Sequence, residues 1–237
     1  MNEQKILAGS LIALVLATGA GCVALGFRPA AYHPQINPAE FTTTIDNPFY
    51  PLVPGTTFKF AEKVANAPIT NEVEVTVTHD TRTIMGVKCV VVRDTVTEKG
   101  VLTEDTYDWF AQHKDGTVWY FGEAVKEYGV AGKVGTAGSW EAGVNGAQPG
   151  IVMPGQPTPG EPMRQGYLRG EEEDMVQIMA TDETVKVPFG TYSGCARTKD
   201  WSMLESGSEK KWYAKGIGFI RSESVDDEVE LVSVTQK

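Results

Sequence analysis

Val87-Lys88-Cys89-Val90-Val91-Val92-Arg93-Asp94-Thr95-Val96-Thr97 leads into Glu98-Lys99-Gly100, and the chain then returns through Leu102 to His113. The first run is rich in β-branched residues, which suit a pleated surface better than a helix. Glu98-Lys99-Gly100 is a tight-turn signal, because glycine takes positive φ without a steric penalty. Lys114-Asp115-Gly116 is a second such signal, and Thr117 to Gly122 follows it. Three extended runs joined by two glycine-containing turns make an antiparallel meander.

The same period of two extends in both directions. Upstream, Phe58 and Phe60 alternate with Lys59 and Ala61, and Val73, Val75 and Val77 with Glu72, Glu74, Thr76 and Thr78. Downstream, Met175–Ala180, Thr184–Val187, Thr191–Met203, Lys210–Ala214, Gly218–Ser222 and Glu228–Val234 read as further strands. Alternation places one face in a core and the other in water. No helical period of useful length occurs between residues 55 and 130. The expected fold is therefore all-β, one large curved antiparallel sheet or partial barrel. Gly143 to Gly166 carries five Pro and six Gly with Ile151-Val152-Met153 embedded. It reads as a long ordered flap, since three apolar residues would otherwise be stranded in water.

The composition of the 237 residues excludes several classes. Twenty-one Lys plus Arg against 31 Asp plus Glu give a net charge of −10. No basic stripe is present to neutralise phosphates, so a nucleic-acid partner is not expected. Three Cys and three His exclude a zinc finger or a four-Cys iron–sulfur site, and no metal or cofactor motif is found.

Ile6 to Phe27 contains no charged side chain and is flanked by Lys5 and Arg28. Residues 1–27 thus read as an export signal or a retained membrane anchor. Gly19-Ala20-Gly21-Cys22 resembles the end of a bacterial lipoprotein signal, with Cys22 as the lipidated residue; Gly19 departs from the aliphatic usual there. Each reading places the remainder outside the cytoplasm, attached through its N-terminus to a membrane or secreted. Residues 28–46 read as a tether and 47–237 as the β-rich domain. Pro at 29, 34, 38, 48, 51 and 54 disfavours a helix or central strand across that join. Export permits a disulfide, and Cys89 and Cys195 are the pair available; two buried free thiols are the other reading.

Asn47-Pro48-Phe49-Tyr50-Pro51-Leu52-Val53-Pro54-Gly55, Asp105-Thr106-Tyr107-Asp108-Trp109-Phe110-Ala111-Gln112 and Asp115-Gly116-Thr117-Val118-Trp119-Tyr120-Phe121-Gly122-Glu123 resemble a widespread, functionally unassigned group of exported bacterial proteins. Val187-Pro188-Phe189-Gly190-Thr191-Tyr192 and Trp212-Tyr213-Ala214-Lys215-Gly216-Ile217-Gly218-Phe219-Ile220 are similar to the C-terminal half of exported lipoproteins with a lipocalin-like or LolA-like sheet. That second resemblance implies a fold and, by analogy, a role in carrying apolar ligands.

Three functional readings follow. The first is a membrane-tethered protein binding an apolar or amphipathic small molecule, with Trp109, Trp119, Phe121, Trp140 and Met153 as lining residues and the flap over the cavity mouth. The second is a hydrolase or lyase acting on an extracytoplasmic polysaccharide, for which paired carboxylates are needed; Asp108, Glu123 and Glu141 are the candidates, among Glu104 and Glu127. Against it, alternation would place Asp108 on a wet face and Trp109 on a dry one. The third is a structural envelope lipoprotein. Glu171-Glu172-Glu173-Asp174 reads as a solvated turn, with spacing unlike an EF-hand loop. His79 and His113 could face each other on adjacent strands; His33 lies in the tether. There is no Gly-x-Ser-x-Gly elbow.

Overall fold

The structure is a computed structural model that describes residues 32–65, 70–129 and 132–237; the uncharged N-terminal run and Cys22 lie outside them. Seventeen strands are formed among the described residues: β1 (Phe41–Thr42), β2 (Thr56–Val64), β3 (Thr70–Ile84), β4 (Val87–Glu98), β5 (Val101–His113), β6 (Val118–Ala124), β7 (Glu127–Tyr128), β8 (Val134–Gly135), β9 (Trp140–Glu141), β10 (Gln148–Met153), β11 (Met163–Arg164), β12 (Gly166–Tyr167), β13 (Asp174–Val187), β14 (Gly190–Ser202), β15 (Glu209–Ala214), β16 (Gly218–Glu223) and β17 (Asp227–Gln236). Among the described residues, a 3-10 turn of full length forms at Pro38–Glu40.

The hairpin turns have the dihedrals their residues require. Lys99 and Gly100, at φ 51° and 79°, and Met85 and Gly86, at 50° and 80°, are positive pairs that match the right-handed strand twist. Consecutive strands pair antiparallel from β13 through β17, β17 returns to β2, and β2 to β6 continue the meander. β10 then pairs with β6 on one side and with β12 on the other, while β11 pairs with β13. The sheet is thereby nearly closed into a barrel, which leaves it little free edge.

The Pro/Gly-rich segment is ordered, as its apolar residues require, and it supplies the closing staves. Val152 and Met153 are buried, and Met153 pairs opposite Val118. Gly150 is what permits the closure: a Cβ there would lie 2.3 Å from the Gln165 carbonyl carbon and 2.4 Å from Arg164 O.

The proline-rich stretch plugs one end of the barrel. Ile45, Phe49, Tyr50 and Leu52 are buried, and the Tyr50 ring packs 5.7 Å from Phe110 and 6.0 Å from Tyr213. The Asn47 amide holds this strap down, donating to Gly116 O at 2.8 Å and Pro154 O at 2.9 Å. Within the segment read as a tether, Phe41 and Thr42 already pair with β5, and Tyr32 donates its hydroxyl proton to Pro149 O. The packed body therefore starts ahead of residue 47.

Cys89 and Cys195 are both buried free thiols, so the disulfide expectation is corrected. Each donates weakly to a nearby backbone carbonyl, Cys89 to Val87 and Cys195 to Tyr192. Burial pushes the Cys89 thiol up to about 12, which makes it inert at neutral pH.

Candidate functional site

The barrel interior divides into two ends, and the strand registers show why. At the plugged end Phe58, Val75, Val77, Val92, Val90 and Phe110 face one another across β2 to β5. Further along the same strands the inward positions become polar. On β2, Glu62 is in phase with Phe58 and Phe60. On β4, Asp94 is in phase with Val90 and Val92, and on β5 Glu104, Thr106 and Asp108 are in phase with Phe110. β14 and β15 add Thr198 with Asp200 and Glu209 with Lys211 at the same end.

Ten carboxylates are buried, Asp105 among them, and Lys211 is the one buried cation among the described residues. Its ammonium lies 3.3 Å from Glu209 Oε2 and 3.6 Å from Asp200 Oδ2. Asp200 also accepts from Gln165 Nε2 at 2.9 Å and from the Thr198 hydroxyl. Glu62 accepts from Asn71 at 2.8 Å, and Glu104 from the Thr106 hydroxyl at 2.9 Å.

One charge cannot balance this many acids, so most of them hold their protons more tightly than usual. Burial pushes Glu104 up to about 7, with Glu127 and Glu62 adding repulsion. Burial likewise raises Asp108, Asp174, Glu172 and Glu123, and their mutual repulsion raises the last two further. Desolvation disfavours the charged form, and like charges in a dry site add to it.

Asp108 and Glu123 are cross-strand partners on β5 and β6. Asp108 is 0 % exposed and Trp109, on the outer face, 4 %; both faces of β5 are covered here, and the acid is on the inside. The expectation of a wet carboxylate beside a dry tryptophan is therefore overturned. Trp109 lies beneath the Arg82 guanidinium, 4.4 Å from the ring centroid, and Arg82 also pairs with Glu141. The Tyr120 hydroxyl donates to Asp108 Oδ1 at 2.6 Å.

Glu123 faces inward because of a bulge. Opposite Asp108–Phe110, β6 advances from Glu123 to Tyr120, so Phe121 and Gly122 together oppose Trp109. Without the extra residue, Tyr120 and Glu123 would point to opposite faces. Gly122 has φ 123°, and a Cβ there would sit 2.3 Å from the carbonyl oxygen of Trp140 on the pairing strand β9. Glu123 is 1 % exposed, and neither of its oxygens has a hydrogen-bond partner among the described residues. Asp108 Oδ2 and Trp140 Nε1 are likewise unpartnered there.

Glu123 and Trp140, but not Asp108, are among the residues lining a pocket of about 290 Å³ on the barrel flank, with Trp109, Glu141, Leu168, Glu171 and four small neighbours. Its volume is just below the roughly 300–1,000 Å³ of small-molecule sites. By contrast, the apolar end encloses a void of only about 50 Å³ beside Tyr50, Phe58, Phe60 and Tyr213. That is room for a few waters and not for an alkyl chain.

Of the lining residues expected from sequence, Trp109 and Trp140 reach the pocket. Trp119 and Phe121 instead pack against Phe41 on the outer face, at 6.1 and 5.6 Å between centroids. Met153 belongs to the core. The acidic run does not form a solvated turn: Glu172 and Asp174 turn inward, Glu171 is exposed, and Glu173 lies 3.9 Å from Arg164. His113 is held by Glu40 and Asp115 at 3.1 and 3.0 Å, on a strand that does not pair with the strand of His79. No group of three metal-ligating side chains occurs among the described residues.

The fold and its flank pocket thus define a nearly closed antiparallel barrel with an acidic inner end. Residues 177–236, most of β13 through β17, match the sequence model of a DUF3108-like family. Two solved structures are similar over 79 % of this chain. One, covered over 99 % of its length at 17 % identity with a TM-score of 0.47, is a protein from Bacteroides fragilis described as exported with a YmcC-like fold. The other, covered over 98 % at 14 % identity with a TM-score of 0.45, is a protein from Parabacteroides distasonis described as a lipoprotein. No curated protein matches the chain.

Proposed function

We propose that the protein is an extracytoplasmic, membrane-tethered binding protein that holds an amphipathic small molecule in the flank pocket. The observation that carries the reading is that pocket: about 290 Å³, walled by Trp109, Trp140 and Leu168, with Glu123, whose buried carboxyl is unpartnered among the described residues, among the residues that line it. Buried polar atoms without partners are uncommon in native proteins, and a ligand is one way to satisfy them. The uncharged run from Ile6 to Phe27 supports export and attachment. The filled core favours the flank over the barrel interior as the ligand's place, and an amphipathic over a wholly apolar ligand.

Val144 lines the pocket while remaining 48 % exposed, so enlarging it fills the pocket without disturbing the core. Amphipathic small molecules that raise the melting temperature of the wild type are expected to lose that effect in Val144→Trp, whose own melting temperature stays unchanged. Undiminished ligand stabilisation of Val144→Trp would place the site elsewhere.

The cross-strand pair Asp108 and Glu123 favours a second reading, carboxylate-dependent cleavage of a polysaccharide. It is the weaker one, because only Glu123 of the two lines the pocket and Asp108 is engaged by Tyr120. Glycan turnover that Asp108→Asn abolishes is the result that would favour it.

A further inference from the structure

We propose that the ligand of the flank pocket is a small organic cation, an alkyl- or arylammonium, whose head is neutralised by Glu123 and whose body rests against Trp109 and Trp140. This assignment of ligand class rests on the pocket reading above. Three observations select the class. Among the described residues, the charged ones lining the pocket are Glu123, Glu141 and Glu171, with no Lys or Arg. An anion would meet three carboxylates against the Arg82 guanidinium that already pairs with Glu141, and the chain's charge of −10 adds to the repulsion.

Next, the unmet bonding capacity is that of an acceptor. Glu123 has two buried oxygens without partners among the described residues, and Oδ2 of its cross-strand neighbour Asp108 has none there either. An ammonium brings three donors, and charge-assisted bonds to a carboxylate are about twice as strong as neutral ones. Trp140 Nε1, also unpartnered, leaves a donor for a hydroxyl or carbonyl on the same ligand.

Finally, the rim already holds a cation by this chemistry. Arg82 stacks over Trp109 and pairs with Glu141, so an aromatic face and a carboxylate at the pocket's edge are occupied by a guanidinium from the chain itself. Such contacts arise because the negative face of the aromatic ring attracts a cation placed over it. A bare metal ion is a poor fit: the ligand set is too sparse among the described residues, and the apolar walls suit an organic body.

Binding is coupled to proton release. Burial raises the pKa of Glu123, and the charges of Asp108 and Glu104 on β5, Glu172 ahead of β13 and Asp174 at its start raise it further, with Tyr120 of β6 beside them. A cation binds the ionised carboxylate and releases its proton to solvent, so its affinity rises with pH up to the raised pKa of Glu123.

The test uses the full-length chain in detergent and three probes of one shape: phenethylammonium, 2-phenylethanol and 3-phenylpropanoate, followed by calorimetry and tryptophan fluorescence. Phenethylammonium is expected to bind at least about tenfold tighter than the other two, with affinity rising between pH 6 and 8. Glu123→Gln, isosteric and neutral, is expected to bring it down to the level of the alcohol and to flatten the pH dependence, with the melting temperature unchanged or raised. If the alcohol or the carboxylate binds as tightly as the ammonium, or Glu123→Gln retains the ammonium affinity, the cation assignment is overturned while the pocket reading stands. If no probe binds and Val144→Trp changes no ligand response, both fall.

Discussion

Lys211→Met is expected to destabilise the protein by about 3–5 kcal/mol at neutral pH, the cost typical of removing one partner from a buried ion pair. The side chain of Lys211 is 3 % exposed, and Asp200 and Glu209 lie on either side of it. Burial works against its charge, but the two carboxylates outweigh that and hold its pKa above the ordinary lysine value. Methionine of similar length leaves both acids in a dry site with no counter-charge. The loss should shrink as pH falls, because Asp200, already raised by burial, then takes up a proton. Asp200→Asn in the same chain should recover part of it. Urea unfolding at pH 5 and pH 7.5 measures both effects, and a loss below about 1 kcal/mol at pH 7.5 would mean that Lys211 does not hold this end together.

The second large effect is an inverted pH dependence of stability. Glu104 keeps its proton in the folded state up to about pH 7, against 4.5 for an ordinary glutamate. Between those values the folded chain binds more protons than the unfolded one, so stability falls as pH rises. That gap at Glu104 alone corresponds to about 3 kcal/mol. Asp108, Asp174, Glu123 and Glu172 shift in the same direction. His113 adds to the trend: burial opposes its charge, but hydrogen bonds to Asp115 and Glu40 raise it overall, so its contribution also disappears with rising pH. The lowered carboxyls, Glu40, Asp115 and Glu183, are held down by neighbouring His113, Lys114 and Arg197 and titrate below this window. The urea midpoint should therefore be highest near pH 5 and fall by pH 8. A midpoint that rises across that range contradicts the account.

Much of the barrel is legible in the sequence because its long strands repeat at two and end in residues that only turns accommodate. Glu98-Lys99-Gly100 and Lys114-Asp115-Gly116 set β4, β5 and β6 within a residue or two. Closure was not legible. It depends on Gly150 lying against the backbone of residues 164–165, a contact between segments whose proline content hides their strand character.

The site was half legible. Trp109, Trp140, Glu123 and Glu141 stand out as acids among aromatics, and the pocket does gather them. Alternation alone predicts Asp108 out and Trp109 in, whereas the acid lies inside and the tryptophan on the covered outer face. The same strands carry the opposite signal: Glu62, Asp94 and Asp108 are in phase with the apolar residues of their strands, and Asp200 and Glu209 with Ala196 and Tyr213. An acid in phase with the core side of a strand is a buried acid. The bulge at Phe121–Gly122 carries no such periodic mark, so the inward turn of Glu123 needed coordinates.

Infrared spectroscopy in D2O near pH 7, in the C=O stretching region of undissociated carboxylic acids, tests the acidic interior most directly. The wild type should show that absorption at a pH where exposed carboxyls are ionised, and Glu123→Gln should remove a part of it. A folded protein with no undissociated carboxyl signal at neutral pH would contradict the account.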